Sequence, residues 1–214
     1  MTGTFFSRSP ILACLVFAAS APLASAEPVF SNGPADLASG SGREMSAWIQ
    51  ADDFLLTSDT ALTGASVQWF TLGGLGPWDR TIDWYVFSDR QGKPGDLVAS
   101  GGALNVLSEF DGAAAYSWYT TTFDFDTPVP VFASRRYWFG LHFASDFDRD
   151  DLYWADSTEG SMSSTHESLG GSMNNWIDVS GKDRAFSLIP SPGVVPAVGM
   201  LALAVIRRGR STRE

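Results

Sequence analysis

SWYTTTFDFD, residues 117–126, is the stretch in which apolar and polar side chains alternate most clearly. From Tyr119 to Phe125 the odd-numbered side chains form one face of an extended chain, and the even-numbered ones form the other. The second face ends in the acids Asp124 and Asp126, whereas the first carries three aromatic rings. This alternation predicts a β-strand with one face packed against a core.

Stretches with the same period of two lie on both sides of this one. The candidate strands are Arg43–Leu56, Ala61–Leu72, Ile82–Ser88, Leu97–Leu107, Arg136–Ala144, Leu152–Ala155 and Ala185–Ile189. Asp89–Gly95 is a strong turn, because its glycines permit positive φ and its proline fixes φ. Many short strands with regular turn signals are typical of all-β proteins. We predict an antiparallel, jelly-roll-like β-sandwich over residues 43–189, after an irregular lead-in at 27–42.

The long polar stretch Asp156–Asp183 is rich in Ser, Gly, Thr and Asn. A structureless loop of that length is uncommon in a compact domain, so we predict a weak strand around Asn175–Val179. His166 is expected in a flexible part of this stretch. The stretch is also where we expect a variable binding surface.

Residues 1–26 have the layout of a secretory signal peptide. Arg8 is the only charge, Ile11–Ala19 is the apolar helix, and Ala24 and Ala26 form the small-residue cleavage site. The sequence therefore predicts export by the secretion machinery. Cys14, the only cysteine, lies in this segment, so the mature domain is expected to fold without disulfides.

The last 25 residues combine a proline pair, an uncharged run and an arginine cluster. These are Pro190-Ser191-Pro192, residues 193–206, and Arg207, Arg208, Arg210 and Arg213. As a helix the run would be about 21 Å long, shorter than a hydrocarbon core of about 30 Å. It predicts a short apolar helix that acts as a membrane anchor, with the arginines on the cytoplasmic side.

The charge balance argues against one class of partner. Five of the 14 basic residues and one of the 24 acidic residues lie in the two ends, which leaves 9 positive and 23 negative charges on the body. Such a body repels phosphate backbones, so nucleic acid is not an expected partner. No cofactor is predicted, with one candidate exception. Asp146, Asp148 and Asp150 could hold a structural Ca²⁺ ion or form a solvated acidic loop, although the segment does not follow an EF-hand loop.

Eight tryptophans are many for a chain of this length. Trp69, Trp84 and Trp138 lie inside apolar strands and are expected in the core. Trp78 and Trp176 lie in turn-rich stretches and are the best candidates for exposed rings, with burial in the core as the alternative. Exposed aromatic rings can stack on sugar rings, so these two are the candidate glycan contacts.

The ordered tail resembles the C-terminal sorting signal of PEP-CTERM proteins. That resemblance implies anchoring in the inner membrane and processing by an exosortase-type sorting protease, followed by a place on the cell surface or outside the cell. Ser191 stands where the family has a glutamate between the prolines. The body is similar to a β-sandwich module common in such exported proteins. The matching pieces are Ala51–Phe54, Trp84–Gly95, Tyr137–Gly140 and Asp183–Leu188.

These features predict an exported cell-envelope or extracellular-matrix protein without a catalytic role. The first alternative is a carbohydrate-binding module for extracellular polysaccharide, with or without Ca²⁺. The second is a small glycan-processing enzyme, which would need two carboxylates facing each other across a cleft.

Overall fold

The computed structural model describes residues 27–72, 78–113, 115–148, 151–160, 165–179 and 181–192. Within these ranges the chain forms strands, turns and bends, with no α-helix. The predicted signal helix and the apolar tail helix lie outside them. In the part of the chain that is described, no helix has the length and apolar character needed to cross a membrane.

The described residues form twelve strands. These are β1 Phe30–Ser31, β2 Gly42–Glu44, β3 Trp48–Leu55, β4 Thr60–Thr71, β5 Asp83–Asp89, β6 Pro94–Ala113, β7 Ser117–Val131, β8 Arg136–His142, β9 Leu152–Ala155, β10 Thr165–Leu169, β11 Ile177–Asp178 and β12 Phe186–Pro190. The prediction of an all-β, antiparallel protein is confirmed.

The strands form one antiparallel sheet in the order β1-β12-β4-β7-β6-β5-β8-β3-β10-β11. Strand β9 pairs with β4 beyond the end of β12, and β2 pairs with β9. The long strand β6 pairs with β5 along its first half and with β7 along its second half. It therefore carries the sheet from one half of the molecule to the other.

The sheet curls so that its two halves face each other across the main core. The ring of Trp84 on β5 stacks on Phe125 on β7, with centroids 4.2 Å apart. Phe139 on β8 lies 5.4 Å from Phe186 on β12. Burial of these large aromatic side chains supplies much of the energy that holds the two halves together.

Residues 117–126 form a strand, as their alternating pattern predicts. The odd-numbered side chains from Tyr119 to Phe125 are buried in the core. Strand β7 continues past the predicted end, because Val129 and Val131 are buried and extend the alternation. The prolines of this extension are tolerated next to an irregular register in β4, between Leu62 and Gly64.

Two other predictions were wrong in detail. The predicted strand Arg43–Leu56 is two strands, because the Glu44 carboxylate accepts hydrogen bonds from the backbone N–H groups of Ser46 (2.5 Å) and Ala47 (2.8 Å) and bends the chain there. His166 lies on β10 and is buried, whereas a flexible loop was expected. Pairing of β10 with β3 orders this polar segment.

The lead-in at residues 27–42 is mostly without strand, as expected, but it is attached to the domain. Its strand β1 pairs with β12. Asn32 and Ala35 are buried. The segment therefore belongs to the folded body.

A second apolar cluster covers the outer face of the half that contains β3, β5 and β8. Its buried members are Ile49, Ala51, Tyr85, Phe87 and Trp138, and the partly buried side chains packed against them are Phe147, Met173 and Trp176. We call this group the outer cluster. The segment after β10 lies over it and forms one wall of the site described next.

Candidate functional site

A surface cavity lies between the β5–β6 turn and the segment that follows β10. Its volume is about 310 Å³, at the lower end of the range for ligand-binding pockets. The residues that line it are Arg90, Lys93, Pro94, Gly95, Met173, Asn174, Asn175 and Trp176. We call this cavity the Trp176 cleft.

The first wall of the Trp176 cleft is a tight hairpin turn. Gln91 and Gly92 both have positive φ, 57° and 81°, which matches the right-handed twist of the flanking strands. The N–H of Arg90 donates to the carbonyl of Lys93 at 2.9 Å. The Asp89 carboxylate accepts the N–H of Gly92 at 3.3 Å and, through its other oxygen, the indole N–H of Trp138 on β8 at 3.0 Å. The turn is therefore fixed to the sheet beneath it.

The second wall is a loop whose backbone is held at several points. Gly170 and Gly171 have φ of 60° and 74°, a conformation that favours glycine. The Gly170 N–H donates to the Ala47 carbonyl at 3.2 Å. The Ser168 hydroxyl donates to the carbonyls of Ser172 and Asn175. These bonds explain why a sequence rich in Gly, Ser and Asn keeps one shape here.

Trp176 is half-buried, and its orientation is set from two sides. Its ring meets Phe87 of the outer cluster edge to face, with centroids 5.2 Å apart. Its indole N–H donates to the Met173 carbonyl at 3.0 Å. The ring is thus held in place as a wall of the cleft, in the region where a binding surface was expected.

Trp78 was a candidate for an exposed ring, and the structure excludes that interpretation. Its side chain is 8% exposed and belongs to the main core. The ring stacks on Phe143 at 5.4 Å and meets Trp69 edge to face at 5.0 Å. The glycines and prolines around Trp78 describe the backbone, but they do not determine where a large apolar ring is buried. Trp69, Trp84 and Trp138 are buried as predicted.

The Trp176 cleft carries positive charge on an acidic protein. Arg90 and Lys93 lie at its rim, and none of the described residues that line it is acidic. Arg90 forms an ion pair with Asp96, and both side chains are exposed. The chain has two lysines, Lys93 and Lys182, and Lys93 lies at this cleft.

His166 lies close enough to Lys93 for the lysine charge to affect it. Burial lowers the pKa of His166, and the Lys93 charge lowers it further, whereas Asp178 opposes the change. The imidazole is packed edge to face against Trp138 at 5.0 Å. The histidine is therefore a neutral, buried part of the support beneath the site at neutral pH.

A separate group of buried charges lies at Asp52. Its carboxylate accepts hydrogen bonds from the Asn32 side-chain amide (3.0 Å) and from the backbone N–H groups of Arg184 (2.5 Å) and Asp53 (2.8 Å). Burial raises the pKa of Asp52 well above its ordinary value, and the negative charges of Asp183 and Asp53 act in the same direction. Asp52 thus joins β3 to the lead-in and to the segment before β12.

Arg184 lies beside Asp52 and is also buried. Its guanidinium pairs with Asp156 and donates to the Thr165 hydroxyl at 3.2 Å. Burial lowers the pKa of Arg184 to about 10, which leaves it charged at neutral pH. The side chain therefore connects the segments around β9, β10 and β12 from within.

Asp53 has different surroundings from its neighbour Asp52, as expected for adjacent residues of a strand. Its carboxylate is 3.2 Å from the Arg136 guanidinium. Burial raises the pKa of Asp53 to about 6, against the attraction of Arg136. The two acids do not face each other across a cleft, so they are not the pair that a glycan-processing enzyme would need.

The candidate calcium residues lie after β8. Asp146 and Asp148 are exposed, and the Asp146 carboxylate accepts the N–H of Asp148 at 3.1 Å. Asp150 lies outside the described residues. Among those that are described, no three His, Cys, Asp or Glu side chains are grouped to hold a metal ion. Calcium binding stays a prediction.

The sorting residues are described only in part. Pro190 is the last residue of β12, and the Ser191 N–H donates to the Ala61 carbonyl at 2.7 Å. Ser191 and Pro192 are exposed. Ala24, Ala26, Arg207 and Arg208 lie outside the described ranges.

No protein-family model matches the chain, and no curated protein matches it.

Proposed function

We propose that the protein is an exported, non-catalytic component of the cell envelope or the extracellular matrix. Its body is a jelly-roll-like β-sandwich, in which the two halves of the curled sheet are the two layers. The apolar tail anchors the body in the inner membrane until an exosortase-type protease processes it, after which the body is at the cell surface or outside the cell.

One observation carries this proposal: both ends of the described body emerge together. Strands β1 and β12 are antiparallel, and the Val29 N–H donates to the Leu188 carbonyl at 2.9 Å. The start of β1 therefore lies beside the end of β12, and residues 27–29 and 191–192 are exposed. A signal peptide and an apolar tail attached at this end would reach the same membrane while the body stays on one side of it.

The charges support the same arrangement. The body carries the excess of acidic residues, whereas four arginines follow the apolar run. Arginines beside a membrane segment favour the cytoplasmic side, so the acidic body is directed outward.

Cell fractionation tests the proposal. The full chain is expressed in a bacterium that has an exosortase and compared with a chain that ends at Pro192. We expect the full chain first in the membrane fraction and then outside the cell with a new C-terminus, and the shorter chain to be exported without a membrane stage. Mass spectrometry defines both termini. An identical, soluble distribution of the two chains, with Glu214 intact, would contradict the proposal.

The second candidate function is carbohydrate binding, and the Trp176 cleft is the observation that favours it. An aromatic wall of fixed orientation beside exposed amide side chains is suited to a sugar ring and its hydroxyl groups. Oligosaccharide titrations with Ca²⁺ and with a chelator test whether the ion takes part.

A further inference from the structure

We propose that the Trp176 cleft binds a carboxylated sugar unit of an acidic polysaccharide. This inference rests on the carbohydrate-binding candidate function and specifies its ligand class. Three properties of the cleft favour such a ligand: its rigidity, its hydrogen-bonding groups and its charge.

Rigidity matters because a site that is already formed loses little conformational freedom when it binds. The Trp176 ring is held by Phe87 and by the Met173 carbonyl. The opposite wall is a hairpin turn tied to Trp138 through Asp89. The cleft therefore presents a positioned aromatic surface opposite a turn that is tied to the sheet, which suits stacking on the apolar face of a sugar ring.

The hydrogen-bonding groups come from two consecutive amides. Asn174 and Asn175 are exposed and line the cleft. Each side-chain amide both donates and accepts, which matches sugar hydroxyls. The Asn175 carbonyl is occupied by Ser168, so the backbone is fixed while the side chain remains exposed.

Charge distinguishes the class of sugar. A neutral glycan gains little from cationic groups, whereas a carboxylate can pair with Lys93 and accept from the guanidinium N–H groups of Arg90 that Asp96 does not occupy. Arg90 is oriented by its ion pair with Asp96, and Lys93 carries its charge on the exposed turn. The body as a whole is strongly acidic and repels a polyanion, so local attraction by these two side chains has to outweigh that repulsion.

Calorimetric titration of the full chain, purified in mild detergent, tests the inference. The ligands are a tetrasaccharide of galacturonic acid, its fully methyl-esterified form and a sulfated oligosaccharide of similar length. The ester keeps the sugar rings and removes the charge. We expect the acid to bind, the ester to bind at least about tenfold more weakly, and binding of the acid to weaken as salt rises.

Two pairs of variants locate the site. Lys93→Gln is expected to weaken binding of the acid about threefold to fivefold. The other lysine provides the matched control. Lys182→Gln should change the affinity for the acid less than about twofold. Trp176→Ala should weaken binding by about tenfold. Trp176→Phe keeps an aromatic ring on Phe87 and should lose less. Near-ultraviolet circular dichroism checks that each variant is folded.

The outcomes separate this inference from the functions it builds on. If the ester binds as well as the acid and Trp176→Ala weakens both, carbohydrate binding stands and the assignment of a carboxylate is wrong. Binding of the sulfated sugar alone also overturns that assignment. Absence of binding at millimolar concentrations, or equal losses in Lys93→Gln and Lys182→Gln, overturns the site itself. Cell fractionation tests the proposed role in the cell envelope, and its outcome does not depend on any of these binding results.

Discussion

Replacing Asp53 by asparagine should remove a pH-dependent loss of stability. Burial raises the pKa of Asp53 from 3.8 to about 6 in the folded protein. The folded state therefore binds more protons than the unfolded state between these two values. The stability that this group contributes is present below pH 3.8, falls as pH rises through about 6 and stays lost at neutral pH.

The size of the effect follows from the shift. A change of about two pKa units corresponds to about 3 kcal/mol at neutral pH. The attraction of Arg136 is already contained in this net shift, and it is weakened by solvent because the arginine side chain is 41% exposed. Asparagine fits the same space and has no charge to bury. About 0.6 kcal/mol of this effect is already present at pH 4, so the free energy of unfolding of Asp53→Asn minus that of the wild type should rise by about 2.4 kcal/mol between pH 4 and pH 7.

Urea unfolding followed by tryptophan fluorescence, at half-unit steps from pH 4 to pH 7.5, measures this difference. Asp96→Asn is the matched control, because its carboxylate is 83% exposed and pairs with an exposed arginine. That variant should change the pH profile by less than about 0.5 kcal/mol. A flat Asp53→Asn difference would show that the buried carboxylate is solvated or fully compensated, and a falling one would show that Arg136 dominates. Either result would refute the reasoning.

Three further changes test the core and the buried polar groups. Asp52→Ala leaves three donors without their acceptor, so the free energy of unfolding should fall by about 3 kcal/mol or more, as measured in urea. Trp78→Ala removes a ring that stacks on Phe143; it should cost about 3–5 kcal/mol in thermal unfolding and leave the affinity for oligosaccharides unchanged in protein that is still folded. Thr121→Val deprives the Trp69 indole N–H of its acceptor at 2.8 Å and should cost about 1–3 kcal/mol by the same urea assay.

Local patterns were sufficient for most of the sheet. Strand β9 has the predicted bounds, and β4 and β5 differ from prediction by one residue at each end. The buried face of β7 was also predicted, because alternation of bulky and polar side chains records which side is buried. These elements could be recognised from neighbouring residues alone.

Features that depend on distant residues could not be predicted in this way. Strand β10 has little apolar content, and it becomes a strand because it lies along β3. Asp52 is a second example, because its partners Asn32 and Arg184 are far away in the chain. No local pattern records such contacts.

The Trp176 cleft combines features that local patterns predict with features that depend on distant residues. The turn around Lys93 was predicted as a break between strands, whereas Trp176 was placed in a predicted weak strand, of which only Ile177–Asp178 forms one, and was singled out for its ring. Their meeting depends on the order β6-β5-β8-β3-β10, which places the β5–β6 turn and the segment after β10 on the same half of the sheet. Sequence reasoning therefore found one aromatic residue of the site and missed its cations.

The outer cluster connects the stability of the fold to the proposed site. Phe87 packs under Trp176, and Trp138 binds the Asp89 carboxylate that fixes the opposite wall. Both walls of the cleft are thus supported by side chains on adjacent strands, β5 and β8. Because the same contacts bury apolar surface and set the width of the cleft, a change in the outer cluster should alter affinity even where it touches no ligand. The site is consequently a property of this half of the sheet as a whole, and its loops alone would not preserve it.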